Sequence, residues 1–217
     1  MVFENRAQAA RMLAARLRAW RGQRPVVLAI PRGAVPMGRI IADDLQGDLD
    51  VVLVRKLRAP FNPELAIGSI DEAGTVYLDP DTTDLWDADY LETEKKEQLG
   101  MLAWRRRMYA PARAPIDVRD RVVIVIDDGI ATGSTMIAAL RAISVRHPAR
   151  LIAATGVAPA DTLERIRQEA DEVVCLEVPR VMFAIGSHFR DFGQVSDDEV
   201  VELLAAGAGS AAGTSAS

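Results

Sequence analysis

Short, continuously apolar runs recur along this chain, each followed by turn residues and then by a helical pattern. They are PVVLAI (25–30), LDVVLVRK (49–56), RVVIVI (121–126), RLIAATGV (150–157) and EVVCLEV (172–178). Apolar residues at consecutive rather than alternate positions mean that both faces of a strand are buried. Strands of this kind alternating with helices predict an α/β fold, with a mainly parallel central sheet and helices on both faces. Ligands in such sheets bind outside the carboxyl ends of the strands. The loops that matter for function therefore follow Ile30, Val54 and Ile126.

The segments between the strands have helical spacing. Phe3, Ala10, Leu13, Leu17 and Trp20 predict an amphipathic helix over 3–20, and Ile40, Ile41 and Leu45 predict another. Segment 89–109 is a charged helix with acidic residues early and Arg105, Arg106 and Arg107 late, the sense that suits the helix dipole. A helix over 161–170 carries Asp161 and Glu164 at capping-box spacing, and one over 196–205 carries Ser196 and Glu199 likewise. Segment 64–78 predicts a hairpin turning at Glu72, Ala73 and Gly74. The expected organisation is one domain over 1–204, with a low-complexity, disordered Ala/Gly/Ser tail over 205–217.

Composition narrows the partners. The 217 residues carry a net charge of −5, so no basic excess exists to neutralise nucleic-acid phosphates. No apolar run approaches the ~18 residues of a membrane span, and no secretory apolar segment opens the chain. Cys175 is the single cysteine, so no intrachain disulfide can form, as suits a reducing cytoplasm. Its place in VVCLEV predicts a buried thiol.

The stretch VVIVIDDGIATGST (122–135) carries the chemistry. Gly133 permits tight backbone geometry, and Ala131 to Thr135 offer backbone N–H groups at a helix start. Hydroxyls from Thr132, Ser134 and Thr135 add to an anion site suited to a phosphate monoester. Asp127 and Asp128 cannot hold that phosphate; carboxylates suit hydroxyl groups or a hard cation such as Mg²⁺. A phosphate a few atoms from a vicinal diol matches both halves, as in ribose 5-phosphate. A Walker A loop fails, because no Lys follows Gly133. A haloacid-dehalogenase site fails, because Gly129 stands where a second Asp is needed, and G-x-S-x-G occurs nowhere. An Asp-Gly turn with a capping serine is the purely structural alternative.

These residues resemble the phosphoribosyl-diphosphate (PRPP) signature of the type I phosphoribosyltransferases. The signature is four apolar residues, two acidic residues, and a loop ending Thr-Gly-(Gly/Ser)-Thr. The resemblance extends over roughly residues 3–204. It implies that Ala131, Thr132, Gly133, Ser134 and Thr135 wrap the 5-phosphate. It implies that Asp127 and Asp128 bind the ribose hydroxyls with Mg²⁺ near them, directly or through water. The implied reaction is a pentosyl transfer of the salvage type. Pyrophosphate leaves C1 of PRPP through an oxocarbenium-like transition state, and a nitrogenous acceptor adds without a covalent intermediate.

The other two loops fit the same family. AIPRGAVP (29–36) matches its pyrophosphate loop, which often holds a non-proline cis peptide, with Arg32, Gly33 and Ala34 as contacts. Taken alone, PRGA is also a common Pro/Gly turn with a solvated arginine. Arg55, Lys56 and Arg58 lie where adenine and orotate enzymes place basic residues, and Arg55 and Lys56 are the pyrophosphate candidates. Arg32 and Lys56 would stabilise the leaving diphosphate. APFNPELAIG (59–68) resembles the covering loop, with Asn62 and Glu64 as contacts.

Ala131 departs from one branch of the family. Hypoxanthine-guanine-type enzymes carry an Asp there to move a proton at the purine; alanine cannot, which argues against a 6-oxopurine acceptor. The acid/base residue is left unassigned. The acceptor hood is expected from the N-terminus and segment 178–199, with Phe183 and Phe189 as stacking rings, although core packing explains a phenylalanine equally well. His188 has no partner spacing for a metal and suits a structural role. The segments RKL-AP-NPELAIG and DF-QVSD-EV are most similar to stand-alone bacterial phosphoribosyltransferase-domain proteins without an assigned substrate. The family is commonly dimeric, so the resemblance implies a homodimer. A second reading is a PRPP- or nucleotide-sensing regulator that kept the fold and lost turnover.

Overall fold

A computed structural model describes residues 1–112 and 114–206, with the backbone alone at Pro63, Glu64, Pro80, Asp81 and Thr83. Five strands form the parallel sheet: β1 (Val26–Ala29), β2 (Asp48–Val51), β6 (Val122–Asp127), β7 (Arg150–Val157) and β8 (Glu172–Glu177). Their order is β2-β1-β6-β7-β8, and every pairing is parallel. The chain runs outward from β1 to β2 in one direction and from β6 to β8 in the other. The order therefore reverses between β1 and β6, the position at which ligands bind in sheets of this kind.

Consecutive residues of the central strands point to opposite faces, which explains the unbroken apolar runs. Val27, Ala29, Ile124 and Ile126 pack with Leu13 of α1 (Arg6–Arg16), Ile41 of α2 (Val35–Leu45) and Val200 of α6 (Asp197–Ala206). Val26, Leu28, Val123 and Val125 pack with Leu140 of α4 (Ser134–Ser144) and Leu163 of α5 (Ala160–Ile166). Both faces are thus covered, as expected for the fold class.

LDVVLVRK is two strands rather than one. After β2 the chain steps out of the parallel sheet, and β3 (Val54–Ala59) pairs antiparallel with β4 (Asn62–Asp71), which pairs with β5 (Val76–Leu78). The apolar run is continuous across the step, so composition does not mark where hydrogen-bond partners change. Buried Asp50 helps fix the step: its carboxylate accepts from the Val51 and Ile116 N–H groups at 2.7 and 2.9 Å. The expected hairpin over 64–78 is formed by β4 and β5. The long helix α3 (Ala88–Tyr109) packs on this small sheet; Asp87 caps it by accepting from Tyr90 N–H.

Other boundaries differ in detail. Asn5 caps α1, so Phe3 lies outside the helix and bridges Phe189 instead. The capping box at Asp161 and Glu164 does not form: Pro159 is the N-cap, and Asp161 accepts from the adjacent Thr162 N–H. Ser196 does accept from Glu199 N–H, as its spacing predicts. Ala205 and Ala206 close α6; the tail from 207 onward lies outside the described residues. Among the described residues no helix is long and apolar enough to cross a membrane.

Candidate functional site

The site at the carboxyl ends of β1 and β6 is built from backbone first. Beyond Asp127 the chain makes a loop that ends at Gly133, whose φ of 79° is a left-handed conformation that glycine adopts without penalty. Gly133 is the N-cap of α4 and supplies no side-chain acceptor. The first-turn N–H groups of α4 thus lack intrahelical acceptors and carry the positive end of the helix. Helix α5 braces the loop from behind: Thr162 Oγ1 donates to the Ala131 carbonyl at 2.8 Å, and Arg165 Nη1 to the Thr132 carbonyl at 3.1 Å. Thr132 Oγ1 and Ser134 Oγ lie 3.2 Å apart. The loop borders a cavity of about 180 Å³ lined by residues 129–136 together with Asp127, Lys56 and Ile185.

The two adjacent aspartates part company. Asp127 faces this cavity, and its Oδ1 accepts from the Asp128 N–H at 2.9 Å. Burial and then the neighbouring Asp128 carboxylate push the Asp127 carboxyl well above the ordinary range. Asp128 turns under the loop after β1 and is buried. Arg6 of α1 donates from Nε to Asp128 Oδ2 at 2.8 Å.

The loop after β1 closes against that pair. The peptide between Pro31 and Arg32 is cis. A Cβ on Gly33 would overlap Asp128 Oδ2, so a larger residue would have to displace that carboxylate. Ala34 is the N-cap of α2, again without a side-chain cap. Arg32 pairs with Asp197 Oδ2 at 3.3 Å, and Asp197 Oδ1 accepts from the buried Tyr109 hydroxyl at 2.5 Å. Burial and the Asp197 carboxylate push the Tyr109 hydroxyl well above its ordinary range.

The basic cluster on β3 splits. Lys56 is exposed, lines the cavity and has no hydrogen-bond or ion-pair partner among the described residues. Arg55 points to α3, where Nε donates to Gln98 Oε1 at 2.6 Å; burial and then Arg105 and Arg58 lower its pKa. Arg58 is held by Glu94 and Glu97 of α3. The segment expected as a covering loop is a hairpin arm with its tip at Pro60 and Phe61. Phe61 is 96 % exposed. Asn62 opens β4 opposite Ala59, and the Glu64 side chain lies outside the described ones.

Segment 178–199 is joined to the N-terminus: Phe3 N–H donates to the His188 carbonyl, and Arg190 N–H to the Phe3 carbonyl. Phe189 is enclosed, its ring centre 5.2 Å from Phe3 and 4.9 Å from Phe192. It therefore packs in the core instead of presenting a face to a ligand, while Phe183 is 91 % exposed. Sequence reasoning missed Arg6 and Asp197, because arginines and aspartates in helical first turns carry no local sign that they reach a distant loop.

A parallel sheet whose order reverses between β1 and β6, with a helix start and an acidic pair at that point, places the chain among doubly wound α/β proteins. The chain belongs to the phosphoribosyl transferase domain family, whose model matches residues 2–190, and its fold is that of the type I phosphoribosyltransferases. It is 41 % identical over 206 residues to the provisionally named phosphoribosyl transferases Rv0571c and MT0597 of two Mycobacterium tuberculosis strains. Those matches cover 94 % of this chain and 46 % of each relative, so the chain spans about half their length. The crystal structure of TT1426 from Thermus thermophilus is 40 % identical, with a TM-score of 0.86 over 95 % of this chain and 99 % of that one.

Proposed function

We propose that this chain transfers ribose 5-phosphate from PRPP to a nitrogenous acceptor and releases pyrophosphate. The observation that carries the proposal is the cavity joining Lys56, Asp127 and the first turn of α4 at the reversal of the sheet. Residues 131–135 would receive the 5-phosphate through N–H groups and hydroxyls. Asp127 and Asp128 would accept from the ribose hydroxyls. Arg32, Gly33, Ala34 and Lys56 would face the diphosphate; Arg55 drops out of this set because Gln98 holds it away.

The two carboxylates are hard oxygen donors, and that of Asp127 faces the cavity. They fit a site for Mg²⁺ completed by ligand oxygens. When bound, Mg²⁺ supplies charge neutralisation to the departing diphosphate. Lys56, lacking a partner among the described residues, can follow the growing negative charge without breaking another contact. Arg32 must exchange its contact with Asp197 for the ligand. Ala131 cannot move a proton at that position, which favours acceptors other than 6-oxopurines. Cys175 as the single cysteine suits a cytoplasmic setting, and the family resemblance favours a homodimer.

A second role, sensing PRPP without turnover, is favoured by one observation: Phe189 and Phe192 are already engaged, so Phe183 is the ring of this segment left open. The assay is pyrophosphate release from PRPP and Mg²⁺ with a panel of bases and amines. Acceptor-dependent release is the expected result. PRPP binding without release under every acceptor would favour the sensor.

A further inference from the structure

Arg6 joins three parts of the molecule that are remote in sequence. Its Nε donates to Asp128 Oδ2 at 2.8 Å, and its Nη1 donates to the Gly193 carbonyl at 2.6 Å. Its guanidinium carbon lies 3.8 Å from the centre of the Phe192 ring. A Cβ on Gly33 would lie 3.1 Å from Arg6 Nη2, so the guanidinium also borders the loop after β1. The Arg6 side chain is 14 % exposed and that of Asp128 11 %. An exposed ion pair contributes little, but this one is enclosed and its geometry is set by a planar fork and a ring.

We propose that Arg6 is a positioning residue for Asp128: it fixes the rotamer of the sugar-binding carboxylate and links that rotamer to the placement of segment 189–193. The inference rests on the phosphoribosyl function proposed above. A carboxylate already ordered in the free protein spares the ligand that ordering cost on binding. Phe192 stacks on Phe189, which bridges Phe3, two residues before the cap of α1. The N-terminus, segment 189–193 and the acidic pair therefore form one connected unit. A lysine at position 6 would keep the charge, but it lacks the fork that serves Asp128 and Gly193 while lying on a ring.

The test is calorimetric titration with PRPP and Mg²⁺ of the full chain and of Arg6→Met, Arg6→Lys, Asp128→Asn and the double variant Arg6→Met/Asp128→Asn. Circular dichroism verifies the fold. Arg6→Met should bind PRPP at least about tenfold more weakly, which is about 1.4 kcal/mol. Arg6→Lys should remain weakened. In the Asp128→Asn background, Arg6→Met should add less than about twofold, because its effect passes through that carboxylate. Affinity of Arg6→Met within twofold of the unsubstituted chain, full recovery by lysine, or full additivity in the double variant would each overturn the role. If Arg6→Met does not fold, Phe192→Leu decides instead, since it removes the platform and leaves the guanidinium. It should weaken PRPP by about threefold, and unchanged affinity overturns the role. Failure of the unsubstituted chain to bind PRPP would defeat the phosphoribosyl proposal, and this role with it; binding that ignores Arg6 defeats this role alone.

Discussion

The loop after β6 and the arm formed by β3 and β4 both border the same cavity, yet they are built in opposite ways. The loop is held from all sides: α5 takes its carbonyls, Gly33 presses on Asp128, and Arg6 anchors that carboxylate. The arm packs against both α3 and α4, but its charged contacts go to α3 alone among the described residues. Arg58 donates from its backbone N–H, Nε and Nη2 to buried Glu94, and Arg55 is taken by Gln98. Lys56, between them, points the other way, and the tip at Phe61 touches solvent. The cradle is thus fixed by contacts between loops, whereas the arm is fixed at its base by helices and leaves its tip in solvent.

Substitutions can break this contrast, and the largest expected effect is at the cradle. Gly33→Val puts a branched side chain onto Asp128 Oδ2, and PRPP affinity should fall by roughly a hundredfold or more, read by calorimetry on folded protein. The next effect belongs to the arm and should appear in stability rather than binding. Glu94→Ala removes the acceptor of Arg58 and should cost about 2 kcal/mol, a fall in Tm of several degrees, with PRPP affinity unchanged.

The same contact has a pH signature. Burial alone would raise the Glu94 carboxyl, but donation from the Arg58 guanidinium and backbone, and from Gln98, brings it below the ordinary value. A depressed carboxylate contributes stability above its unfolded value and loses it as pH falls through the folded one. Thermal melts should show that acid-side loss, and Glu94→Gln should flatten it. The smallest effects compare neighbours on β3. Lys56→Ala should weaken PRPP about tenfold without moving the melt, whereas Arg55→Met should leave affinity within about twofold. Equal effects at both positions would show that the two faces of β3 are not distinct.

Much of the cradle was legible because its chemistry is local. Gly133, the hydroxyls and the aspartates sit within one loop, and a helix start binds anions wherever it occurs. Unbroken apolar runs likewise announced the parallel sheet, since burial on both faces leaves no alternation. The arm was less legible because its division depends on direction. Arg55 and Lys56 are adjacent and both basic, and only the pairing of β3 with β4 shows which one reaches the cavity. Register shifts beside Arg58 then turn it towards α3 as well. For Phe189, stacking on a ligand and core packing were equally open from the sequence; Phe3 and Phe192 enclose it, a contact between distant segments that composition does not encode. Arg6 and Asp197 were invisible for the same reason, because each acts on a residue more than a hundred positions away.

The central claim is that the cavity beside the loop after β6 binds PRPP with Mg²⁺. Calorimetric titration of the chain and of folded Gly33→Val tests it most directly. The account predicts saturable binding at one site per chain, weakened roughly a hundredfold or more in Gly33→Val. No binding by the unsubstituted chain, or equal binding by the variant, would contradict it.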